Sequence, residues 1–264
     1  MKPFERFPDS FWAGLAPFIV AGLIVFTSAP VTQIPFPHPV IFYLSLFFSV
    51  VVVTGVIGWS NLVEELGFDV TMPGEKPEHT WFRYIVLILI GLAFGYGVYL
   101  MTTSKPMSYL GLIPFPADFA IAELLLAFPV SISTVNCLVI ALFEEIQRNA
   151  CSFVFANWAY KRFRLARDSA ITVGILIGSV CFILLHYVAW SSQSLFNLTN
   201  FVFGVIMASA FSLLGWALAS RYLGPLAFFE FSIIPGIVAH FIWDFLVNMH
   251  LRVMPGAFAL LVLP

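Results

Sequence analysis

Seven apolar runs, at residues 11–30, 40–59, 82–101, 131–158, 171–190, 201–219 and 226–247, restrict this chain more than any other feature. Each approaches or exceeds the ~20 residues that an α-helix needs to cross a hydrocarbon layer. Inside such a layer the backbone must satisfy its own N–H and C=O groups, which a helix does within one segment. The runs therefore predict an all-α, polytopic membrane helix bundle: seven transmembrane helices in one integral membrane domain, residues 1–264. Charge agrees with this. Only 10% of residues are Asp, Glu, Lys or Arg, against about 25% in soluble domains, and mean hydropathy is +0.97. A net charge of −2 gives no sign of nucleic-acid binding. Two further apolar pieces are too short to cross. Residues 118–128, ended by Pro129, suit an interfacial or tilted lead-in, and residues 251–264 suit a packed or re-entrant short eighth helix.

Basic residues orient the bundle. With seven alternating helices, Lys2, Arg6, Lys76, Arg83, Lys161, Arg162, Arg164, Arg167 and Arg221 fall on one side, and Lys105 and Arg252 on the other. That asymmetry predicts a cytoplasmic amino terminus. The first run lacks a small-residue cleavage site, so it is expected to be a spanning helix rather than a removed signal. Trp59, Trp81, Trp158 and Trp190 stand near predicted helix ends, as interfacial anchors do. A compact chain without long polar loops suits a prokaryotic plasma membrane.

Several features carry no chemistry of their own. Cys137, Cys151 and Cys181 are far apart in apolar segments, as packing thiols are. Glu64 and Glu65 lie among other acids and are expected on a solvated face. His38, His79 and His250 lack metal-ligand spacing, and no phosphate loop, nucleophile elbow or zincin motif occurs. Gly91, Gly95 and Gly97 are expected to let helices approach closely.

The exceptions are ionisable groups inside apolar runs. Glu144 and Glu145 adjoin within the fourth, with Arg148 four and three residues later. Those spacings put Arg148 beside either acid, while successive acids point about 100° apart. Arg148 is thus able to hold one carboxylate while the other meets a different neighbour. Phe182 and His186 share a face of the fifth run; His240 and Asp244 share a face of the seventh. Lipid rejects such groups, so they are expected to converge on a shared, wet interior. Pro235-Gly236 is expected to kink the seventh helix near His240.

This ordered set resembles the CPBP family of intramembrane glutamic endopeptidases, the CAAX proteases and bacteriocin-processing enzymes. The resemblance is carried by Glu144-Glu145…Arg148, Phe182…His186 and His240…Asp244, in a protease-like core over residues 118–248. One spacing departs: the family places arginine four after the second glutamate, whereas Arg148 stands four after the first, as the basic residue does in the related PrsW proteases. Carried over in order, the resemblance implies that Glu144, helped by His186, activates water. Glu145 would support it; pairing geometry alone also admits the reverse. It further implies that His240 and Asp244 orient substrate and meet the oxyanion, that Arg148 and Phe182 support them, and that no cofactor is needed. The implied partner is a membrane-embedded or lipidated protein or peptide substrate in the lipid bilayer. By residue type, Glu144, His186, His240 and Asp244 also suit zinc. Outside the enzyme class stand a proton-coupled transporter and a catalytically silent scaffold or immunity protein.

Overall fold

The computed structural model describes residues 6–32, 39–70, 76–102, 129–190, 198–219 and 231–253. Lys2, His38, Lys105, Arg221, the 118–128 piece and the chain beyond residue 253 lie outside these, as does the side chain of Trp190. Among the described residues all regular structure is helical: α1 (Phe11–Thr32), α2 (Pro39–Ile57), α3 (Trp59–Glu65), α4 (Pro77–Thr102), α5 (Val130–Phe163), α6 (Arg167–Trp190), α7 (Leu198–Ala219) and α8 (Ile234–Val253). Each of the seven apolar runs overlaps one long helix in its described part. Three stretches, Pro77–Met101, Val130–Phe163 and Arg167–His186, are long and apolar enough to cross a membrane by length and composition.

The bundle is built around α5, which packs on α1, α2, α6 and α8. From Glu144 to Asn157 every one of its residues is buried, as expected of a helix surrounded by others. Its tightest neighbour is antiparallel α6. A Cβ on Gly174 would strike the Ser152 carbonyl and Ala156, and one on Gly178 would strike Ser152. Continuing in steps of four, Phe182 meets Arg148 and His186 meets Glu144. The two glycines thus set the helix separation that the motif residues above them require.

Helix α8 is seated in the same way. Cβ atoms on Gly91 and Gly95 of α4 would collide with Val238, the Pro235 carbonyl and Ala239 of α8, whereas Gly97 faces open space and has no such part. Residues 231–233 precede α8 and are not helical, so within the described part of the run expected over 226–247 the helix begins at Ile234; residues 226–230 lie outside the described residues. There Ser232 donates to the Gly67 carbonyl at 3.0 Å, and Ile233 N–H to the Leu66 carbonyl at 2.9 Å. Pro235 and Gly236 consequently occupy the first turn of α8 rather than a kink beside His240; a proline there loses no intrahelical hydrogen bond.

Glu64 is exposed as expected, but Glu65 is not. They end the short helix α3, and Glu65 is 8% exposed. Arg6 Nη1 donates to Glu64 Oε2 at 2.6 Å, while Arg6 Nε lies 3.3 Å from Glu65 Oε1. The turn at Gly67 folds α3 beneath the bundle and brings one of the two acids inside. Arg83, counted above among the basic residues that orient the bundle, is also buried and donates to the Val70 carbonyl at 3.0 Å.

Candidate active site

Four helices bring polar side chains together near the middle of α5. Glu145 is fully buried and accepts from three donors. Arg148 pairs with its Oε2, Asn149 Nδ2 donates to the same oxygen at 3.0 Å, and His240 Nδ1 lies 2.9 Å from Oε1. Arg148 is itself 1% exposed. Its Nε donates to Ser212 Oγ at 3.1 Å, and its guanidinium lies over the rings of Phe182 and Phe211 at 5.4 and 5.9 Å. A cation enclosed so completely is tolerated because a carboxylate, a hydroxyl and two π-faces replace its water.

Glu144 has the opposite surroundings. Among the described residues no hydrogen bond reaches its carboxylate. Instead Oε1 lies 3.7 Å from His186 Nε2 and Oε2 lies 3.6 Å from His240 Nε2, distances beyond direct hydrogen bonding. Both rings are held from behind. His186 Nδ1 is 2.8 Å from the Phe182 carbonyl. A carbonyl only accepts, so Nδ1 carries the proton. Glu145, accepting from Arg148 and Asn149, likewise receives the Nδ1 proton of His240. With Nδ1 so engaged, each ring turns its Nε2 toward Glu144, an acceptor in the neutral imidazole and a donor in the doubly protonated one. Phe211 stacks on His240 at 5.4 Å with planes 11° apart and fixes that ring further.

Glu144, His186 and His240 line a cleft of about 30 Å³ whose other walls include Phe182, Gly204, Met207 and Phe211. On this measure a water needs roughly 10–15 Å³, so the cleft admits one or two. The arrangement is suited to holding a water against one carboxylate and two imidazole nitrogens, and to passing its proton among them.

The structure thus brings together Glu144, Glu145, Arg148, Phe182, His186 and His240. Asp244 stands beside the group, its Oδ2 3.6 Å from His240 Nε2, but not among the residues that line the cleft. No three His, Cys, Asp or Glu side chains among the described residues converge as metal donors. Three contributors went unnoticed in the sequence. Asn149 was legible, four residues after Glu145 on one face. Ser212 and Phe211 were not, because α7 carries no ionisable group among its residues to attract attention.

No family model matches the chain, and no curated protein or solved structure is detectably similar to it. The resemblance to the CPBP proteases rests on the motif residues themselves.

Proposed function

We propose that this protein is a seven-span intramembrane endopeptidase in which Glu144, assisted by His186, activates a water to cleave a peptide bond of a membrane-associated or lipidated substrate. The observation that carries the reading is the contrast between the two acids: Glu145 is saturated by donors, while Glu144 is left facing two imidazole nitrogens in a cleft large enough for water. Glu144 takes a proton from the water as it attacks the scissile carbonyl; the proton then passes, directly or through His186 Nε2, to the departing amine. His240 and Asp244 orient the substrate. A hydrogen bond from His240 Nε2 to the oxyanion requires the doubly protonated ring, since its Nδ1 proton is already given to Glu145. Arg148 holds Glu145, and Glu145 holds His240. Four further helices complete the proposed seven spans, with the amino terminus in the cytoplasm of a prokaryotic cell.

The test is cleavage of lipidated and unmodified peptides by purified protein in detergent, comparing wild type with Glu144→Gln. The substitution should lower turnover by about 10²–10⁴-fold, the contribution of a positioned acid–base group, while the protein stays folded. Cleavage retained by Glu144→Gln refutes the assignment. Activity that survives chelator, in protein that carries no stoichiometric zinc, separates glutamate from metal chemistry. Proton flux into proteoliposomes, lost on the same substitution without any cleavage, would favour a transporter.

A further inference from the structure

Along α8 the polar residues His240, Asp244, Asn248 and Arg252 recur at intervals of four, which makes one row of the helix. Both ends of the row meet α5. His240 does so through Glu144 and Glu145, and Arg252 through Nη2, which donates to Ser133 Oγ at 2.7 Å. The facing stripe of α5 is Ser133, Cys137, Ile140 and Glu144, all nearly inaccessible. The row therefore runs inside the seam between the two helices.

Within it Asn248 is 1% exposed. Its Oδ1 accepts from Arg252 Nε at 3.0 Å, which turns Nδ2 the other way, and that buried donor has no partner. Buried donors are rarely left so, and an ordered water between polar neighbours is the usual remedy. Asp244 is the next polar group along the row, one turn nearer the site. Hydrolysis consumes one water per turnover, and a site enclosed by apolar helices needs a supply. The cleft beside α6 and α7 includes neither Asp244 nor Asn248, so the seam approaches Glu144 from a different direction.

We propose that the α5–α8 seam is a hydrated path that delivers water to Glu144 from the end of the bundle where Arg252 lies. Substrate would then occupy the α6–α7 side without blocking the supply. The path extends the reading above and rests on its membrane embedding, whichever reaction Glu144 performs.

The experiment uses the full-length chain in native membranes, with Cys137, Cys151 and Cys181 replaced by alanine. Single thiols are introduced as Asn248→Cys in the seam and as Leu138→Cys on the 47% exposed outer face of α5. Each is treated with a charged methanethiosulfonate, which needs a water-accessible thiolate. Asn248→Cys should react about tenfold faster or more than the lipid-facing control. Equal rates overturn the proposal. Ser133→Cys, on the opposite wall, takes the place of Asn248→Cys if that variant does not fold. Because the readout is thiol modification, peptide cleavage retained by Glu144→Gln would sink the peptidase reading and leave this result unchanged.

Discussion

Glu145 and Glu144 are consecutive residues on one helix, yet the regions around them are built on different principles. Around Glu145, donors from α5 and α8 converge on a carboxylate with no access to solvent, and α7 secures the arginine that faces it. Around Glu144, α6 and α8 leave two nitrogens at 3.7 and 3.6 Å beside a small cleft. A turn of about 100° between successive side chains is enough to separate an acid saturated by donors from one that no hydrogen bond reaches among the described residues. The rigid side supports the open side, because His240 is held by Glu145 on one nitrogen and faces Glu144 with the other.

The largest expected effect is on the rigid side. Glu145→Leu strands a buried guanidinium and should destabilise the protein by about 3–5 kcal/mol, whereas Glu145→Leu with Arg148→Met should recover most of that loss. Unfolding in a denaturing detergent titration measures both. If the single variant is as stable as Glu144→Gln, the distinction between the two acids fails. Next comes Ser212→Ala, which removes a hydroxyl from a buried charged donor and should cost about 1–3 kcal/mol. On the proposed peptidase reading it should also reduce turnover through Arg148, with Ser212→Thr restoring both.

The smallest effect lies at the exposed edge, where Lys161 Nζ donates to Asp9 Oδ2 at 2.9 Å with both side chains about half exposed. The hydrogen bond and the charge of Lys161 hold the Asp9 carboxyl below its ordinary value. An acid whose folded pKa is depressed stabilises the fold above its unfolded value and loses that contribution as pH falls through the folded one. The difference in Tm between wild type and Asp9→Asn should therefore be slight at pH 7 and should close as the solution is made strongly acidic. A difference that instead widened in acid would mean that Asp9 is not paired as described.

Much of the bundle could be read in advance because apolar length and helix period are local properties. The pairing of Arg148 with one acid, the shared faces of Phe182 with His186 and of His240 with Asp244, and the close approach at Gly91 and Gly95 all follow from spacing. What escaped was set by contacts between distant segments. Glu65 looked solvated because nothing nearby in the chain predicts Arg6 above it, 59 positions earlier in sequence. The start of α8 was misplaced because hydrophobicity continues through residues 231–233, while the bonds that keep them out of the helix come from the turn at Leu66 and Gly67.

The sequence alone determined that the regular structure among the described residues is helical, and which ionisable residues interrupt its apolar runs; hydrophobic run length and 3.6-residue periodicity need no partner to be read. Only the tertiary structure decided which glutamate became a strut and which was left open. That choice depended on where α6, α7 and α8 placed His186, Ser212 and His240, and a side chain's hydrogen bonds are settled by whichever donors packing brings within 3 Å.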